Sequence, residues 1–113
     1  MVETSEVTFL PQPDRDEIRI ERVLHALADP VRLHIVRALA TSPDGHACGE
    51  FALSVSPSTR THHLRVLRGA GVITTIAAGT RKISSLRRAD LDALFPGLLN
   101  GVLAAKSEVD ELV

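Results

Sequence analysis

The side chains able to do chemistry concentrate between Ser56 and Gly71. Ser56, Ser58, Thr59 and Thr61 offer hydroxyls, His62 and His63 imidazoles, and Arg60, Arg65 and Arg68 guanidiniums, with no carboxylate among them. Such groups donate hydrogen bonds to phosphate oxygens and to base edges in a DNA major groove. They do not compose a reaction centre. The chain shows no paired carboxylates, no nucleophile–base pair and no phosphate-cradling glycine loop, so an enzyme is not expected.

A helix must position these groups, and the stretch carries its own start and stop. Ser56 is a good N-cap, Pro57 suits the first helical position, and Gly69 and Gly71 are stop residues. At about 100° per residue, His63, Leu64, Leu67 and Ala70 fall on one side. Ser58, Thr61, His62 and Arg65 fall on the other, with Arg68 at its margin. One face is fit for a core and the other for a polyanion. Taken alone, the pattern fits an ordinary amphipathic surface helix equally well.

Charge distribution separates the two readings. The 113 residues carry a net charge of −1, yet no acidic residue lies between Glu50 and Asp90. That window holds Arg60, Arg65, Arg68, Arg81, Lys82, Arg87 and Arg88. A basic segment inside an acidic chain suggests a polyanion-binding face. With three Phe and no Trp or Tyr, the chain lacks platforms for stacking single-stranded bases, so double-stranded DNA is the expected partner. The core must be aliphatic. No stretch reaches the roughly 20 apolar residues of a membrane span, and no secretory leader is visible, which predicts a cytoplasmic protein without membrane contact. A single cysteine, Cys48, rules out an internal disulfide framework.

In chain order, residues 1–14 contain Pro11 and Pro13 without sustained period and read as a flexible arm. Residues 15–113 read as one domain. Ile20, Val23, Leu24 and Leu27 recur with helical spacing, predicting a helix from about Asp16 to Ala28. Asp29-Pro30 starts a second, running to about Ala40, with Val31, Ile35, Val36 and Leu39 inward. Ser42-Pro43-Asp44-Gly45 is a turn, and a short third helix is expected near Cys48 to Ala52. After the helix of Ser56–Gly71, Val72–Ile76 and Arg81–Leu86 form a hairpin that turns at Ala78-Gly79. Its tip carries Thr80, Arg81 and Lys82, placed either to lie along a DNA backbone or to keep an exposed hairpin soluble. Arg88–Leu94 is helical again, and after Phe95-Pro96-Gly97 a last helix restarts at Pro96. The fold class is mainly α (α+β), with about five to six helices and a two-stranded β-hairpin.

That order of elements is the order of a winged helix-turn-helix. Ala26-Leu27-Ala28-Asp29-Pro30-Val31-Arg32-Leu33-His34-Ile35-Val36, the run Ser58 to Ile73, and Gly79-Thr80-Arg81-Lys82 with Ser85-Leu86 resemble the signatures of ArsR/SmtB-type repressors. The resemblance covers roughly Ile20 to Leu103. It implies a homodimeric transcriptional repressor, paired through the first and last helices, here around Ile20–Leu27 and Leu98–Leu103. A two-fold dimer would set its recognition helices about 34–36 Å apart on an inverted-repeat operator. Ser58, Thr59, Thr61, His62 and Arg65 would then enter the groove, Ser56 would cap the helix beside a phosphate, and Arg81 and Lys82 would grip the backbone. Arg60 departs from the family pattern, which more often has an apolar residue there; it reaches either a phosphate or a structural ion pair. A winged-helix module that binds protein is the rival reading, and the acid-free window argues against it.

Many relatives sense metals through a Cys-x-Cys pair on the third helix or through ligands on the last helix. This chain has neither. His46, Cys48 and Glu50 supply three donors where a zinc site wants four, so no metal and no cofactor are expected. Cys48 reads as a packing residue or lone thiol, with metal- or thiol-sensing as the alternative. His62 and His63 are adjacent on a helix and cannot share a metal. His25 and His34 read as structural. No residue pattern specifies an inducer.

Overall fold

The computed structural model describes residues 7–47 and 55–106. Five α-helices and four strands fall within them: β1 (Val7–Phe9), α1 (Ile20–Leu27), α2 (Pro30–Ala40), β2 (His46–Ala47), α3 (Pro57–Gly69), β3 (Ile73–Ala78), β4 (Arg81–Leu86), α4 (Arg88–Leu94) and α5 (Leu98–Ala104). The helix expected near Cys48 to Ala52 lies outside the described residues.

Helix starts follow local chemistry. Asp29 caps α2, its carboxylate accepting from the Arg32 N–H at 3.0 Å, and Pro30 follows at the first helical position. The first helix begins later than its apolar spacing predicts. Arg15–Glu17 form a 3₁₀ turn, the chain extends at Ile18 and Arg19, and α1 starts at Ile20. The break lets Ile18 turn into the core, where it is buried against Gly71. Leu24, one of the four apolar residues whose spacing predicts this helix, is 49% exposed, while Ala26 takes a buried place beside Val23 and Leu27.

The stop of α3 is a Schellman motif. Val72 N–H donates to the Leu67 carbonyl at 3.0 Å and Gly71 N–H to the Arg68 carbonyl at 3.1 Å, with Gly71 at φ +86°. Gly71 is thus the terminating residue, and Gly69 is the last residue of the helix itself. Similarly, α5 begins at Leu98 behind Gly97 (φ +84°), not at Pro96.

The hairpin forms with β4 as expected, but β3 runs Ile73–Ala78 and not Val72–Ile76, and because Ala78 pairs with Arg81 the two-residue turn is Gly79-Thr80 and not Ala78-Gly79. It is not alone. The sheet runs β1-β3-β4-β2, all neighbours antiparallel. The expectation of a flexible arm through residue 14 is therefore corrected for residues 7–13. Val7–Phe9 pair with Ile76–Ala78, and Leu10 N–H donates to the Thr75 carbonyl at 2.9 Å. Arg68 Nε donates to the Pro11 carbonyl at 3.1 Å and Arg87 Nη1 to the Pro13 carbonyl at 2.7 Å. Those carbonyls need donors, and two arginines supply them.

The buried core is aliphatic: Val23, Ile35, Val36, Leu39, Leu67, Val72, Ile73, Leu91 and Leu99 are among its members. Inside the sheet, Thr75 and Ser84 sit directly opposite each other and are almost fully buried, their hydroxyls 2.9 Å apart.

Candidate nucleic-acid interface

α3 presents the expected face. Ser56, Ser58, Thr59, Thr61, His62 and Arg65 are exposed, while His63, Leu64 and Leu67 are buried. At the N-terminus, Ser56 Oγ accepts from the Thr59 N–H at 3.2 Å and donates to Thr59 Oγ1 at 2.9 Å. Ser58 Oγ lies 3.2 Å from it. These three hydroxyls surround a helix start with no acidic residue in its first turn, an end that attracts anions through its free N–H groups and the helix dipole. Arg60 is half-buried, and no described residue hydrogen-bonds or ion-pairs with its side chain. Of the two roles open to it, the structural ion pair therefore has no support among the described residues. Arg68 is half-buried and engaged with Pro11.

Thr80, Arg81 and Lys82 are exposed at the hairpin tip, as the sequence places them. Arg81 and Lys82 are successive strand residues, so their side chains leave opposite faces of the ribbon.

Behind the exposed face, α3 is fastened by a buried polar cluster. Arg32 is only 8% exposed. Its Nε donates to the Ala26 carbonyl at 2.6 Å and its Nη2 to the His25 carbonyl at 3.2 Å, serving the C-terminal carbonyls of α1. Its Nη1 stands 3.2 Å from His63 Nδ1 on α3. A guanidinium only donates, so Nδ1 accepts and the ring proton resides on Nε2. The Asp29 carboxylate lies 3.9 Å from the same Nδ1. Burial lowers the His63 pKa below the ordinary histidine value; Asp29 opposes the shift, while Arg32 and His62 add to it. His63 is thus held neutral, and one arginine ties α1, α2 and the exposed helix together.

Sequence reasoning assigned His63 a packing role and missed Arg32. A signal was present: on a wheel Arg32 falls amid Ile35, Val36 and Leu39, the centre of the buried face of α2. His25, read as structural, has an exposed side chain.

Among the described residues, no group of three or more His, Cys, Asp or Glu could hold a metal ion; Cys48 and Glu50 lie outside them. No helix among the described residues is long and apolar enough to cross a membrane.

Comparison with known proteins agrees with this geometry. A helix-turn-helix domain family matches residues 27–76, which span α2, α3 and the start of the hairpin. The HTH-type transcriptional regulator YceK of Bacillus subtilis (strain 168) is 34% identical over 86 residues, covering 74% of this chain and 85% of that protein. The HTH-type transcriptional regulator Rv2034 of Mycobacterium tuberculosis (strain ATCC 25618 / H37Rv) is 38% identical over 90 residues, covering 72% of this chain and 82% of the relative. The crystal structure of a possible transcriptional regulator for arsenical resistance superposes with a TM-score of 0.56 at 26% identity, covering 83% of this chain and 94% of that one.

Proposed function

This chain belongs to the ArsR-type winged helix-turn-helix transcriptional regulators, and from that premise we propose that it is a homodimeric repressor acting at an inverted-repeat operator in the cytoplasm. It is a DNA-binding regulator and not an enzyme. The observation that carries the proposal is the exposed, carboxylate-free face of α3, held rigid from behind by Arg32 and His63. Ser58, Thr59, Thr61, His62 and Arg65 enter the major groove. Ser56 and Arg60 meet phosphates at the helix start, and Arg81 and Lys82 meet the backbone from the wing. Apolar side chains remain at the surface of α1 (Ile20, Leu24) and α5 (Val102, Leu103), and a second copy would cover them.

The test begins by selecting bound duplexes from a randomised pool. An enriched inverted repeat with half-sites about 10–10.5 bp apart is expected. On that sequence, Arg65→Ala should cost about 1–3 kcal/mol and relax discrimination at one base position. Lys82→Ala should weaken all sequences alike and reduce the slope of log affinity against log salt by about 0.9. Unchanged operator affinity for Arg65→Ala at fixed salt would refute this reading face.

A further inference from the structure

A cleft of about 340 Å³ runs between α1 and the C-terminal half of α3, lined by Arg22, His25, Arg65, Val66, Gly69 and Ala70. Its lining holds two guanidiniums and an imidazole and no carboxylate. Neither the Arg22 nor the Arg65 side chain has a hydrogen-bond or ion-pair partner among the described residues. Gly69 keeps the floor open: a Cβ there would stand 4.0 Å from Arg22 Nη2, so the guanidinium lies along the last turn of α3. The ordinary occupation for a cation at that place is to serve the terminal carbonyls of the helix. Those carbonyls are largely taken, since Ala70, Val72 and Gly71 N–H groups already donate to Val66, Leu67 and Arg68. An adjoining hollow of about 240 Å³ shares Arg22, Gly69 and Ala70 and adds Arg19 and Glu17. Glu17, its one acid, is turned to the Asp14 N–H at 2.9 Å.

We propose that this cleft is a binding site for a phosphate-type anion, gripped between Arg22 of α1 and Arg65 of α3 with His25 beside them. Guanidiniums match the oxygens of such a group, two of them line this one cleft, and its lining offers no carboxylate to compensate their charge. The site is placed to matter. Arg65 belongs both to the reading face and to the cleft lining, so a free anion held here competes with DNA for its guanidinium. Ile20 and Leu24 flank the buried stripe of α1 on one side, and Arg22 and His25 flank it on the other. A second copy seated on Ile20 and Leu24 therefore leaves the cleft open. Two sources supply this chemistry: a backbone phosphate of bound DNA, or a free phosphate compound. The DNA source rests on α3 being the reading helix; the anion site itself does not.

The experiment uses the full chain with inorganic phosphate as probe and chloride at matched ionic strength as control. Phosphate should shift the Gly69 and Ala70 amide resonances saturably. Arg22→Gln should weaken that response at least tenfold. So should Gly69→Asp, which keeps Arg22 and sets a carboxylate against it. The second arm measures duplex DNA affinity against chloride concentration. If DNA fills the cleft, Arg22→Gln lowers the salt slope by about 0.9. If a free compound fills it, the slope is unchanged and phosphate displaces duplex from the wild type more than from Arg22→Gln. The proposal is overturned when neither the phosphate shifts nor the salt slope responds to Arg22→Gln. Because the first arm contains no DNA, it can succeed even where the reading-face test on Arg65 fails.

Discussion

Gly71 and Gly97 offer a controlled pair of substitutions. Both have φ near +85° (86° and 84°), where an L side chain is strained. They differ in surroundings. A Cβ at Gly97 meets nothing within 4 Å, whereas one at Gly71 would stand 2.5 Å from Ile18 Cγ1 and 2.7 Å from Ile18 Cδ1. Gly97→Ala therefore tests the backbone alone. The left-handed region costs an alanine about 1–2 kcal/mol, offset by about 0.4–1 kcal/mol from the stiffer unfolded chain. Gly71→Ala adds the collision. Ile18 is buried in the core and cannot swing out freely, so the overpacking adds about 1–3 kcal/mol. Urea unfolding of both variants at one fixed protein concentration reads the difference. A gap of about 2 kcal/mol separates the midpoints by roughly 1 M for a slope near 2 kcal/mol/M. Ile18→Ala removes all the colliding atoms, so the double variant Ile18→Ala/Gly71→Ala should lose clearly less than the two single losses added. Equal midpoints for Gly71→Ala and Gly97→Ala would refute the seating of Ile18 on Gly71.

Two further outcomes follow from buried polar groups. His63 has a folded pKa below its unfolded value near 6.5, so the unfolded chain binds the extra proton first. The stability this residue confers is full above about pH 6.5 and falls as pH drops through the folded pKa. Urea midpoints between pH 5 and 7.5 should slope upward in the wild type and flatten in His63→Gln; parallel curves would reject the neutral, Arg32-bound imidazole. In the sheet, Thr75→Val leaves the Ser84 hydroxyl buried alone and should cost about 1–3 kcal/mol, while Thr75→Val/Ser84→Ala should recover most of that. A double variant as unstable as the sum of the singles would show that the two hydroxyls are not partners.

Much of the candidate interface was legible because its chemistry is local. Ser56-Pro57 and Asp29-Pro30 are cap-and-proline starts, and each begins a helix where it stands. The hairpin was legible from β-branched residues around a Gly turn. What escaped depends on partners distant in sequence. Val7–Phe9 is too short for its alternation to register, and it becomes a strand only because β3 offers an unpaired edge. Ile18 interrupts a helical pattern to fill a place beside Gly71, 53 positions on. Arg32 is charged, and charge argues for the surface; burial needed the carbonyls of His25 and Ala26 and the imidazole of His63 around it. The cleft at Arg22 had no sequence signal, since it arises where α1 crosses the end of α3.

The sheet's outer strands have a consequence for handling this protein. A hairpin with bare flanks is a template on which another chain can add a strand. Here β1 covers the outer edge of β3 and β2 covers part of β4, while the tip bears Arg81 and Lys82. Trimming the chain back to the first helix would uncover the β3 edge and remove the two carbonyls that Arg68 and Arg87 bind. A shortened protein of that kind should self-associate and precipitate at concentrations where the intact one stays dissolved. A tag ahead of Val7 leaves the edge closed, so the safe limit for truncation falls well before the first helical residue.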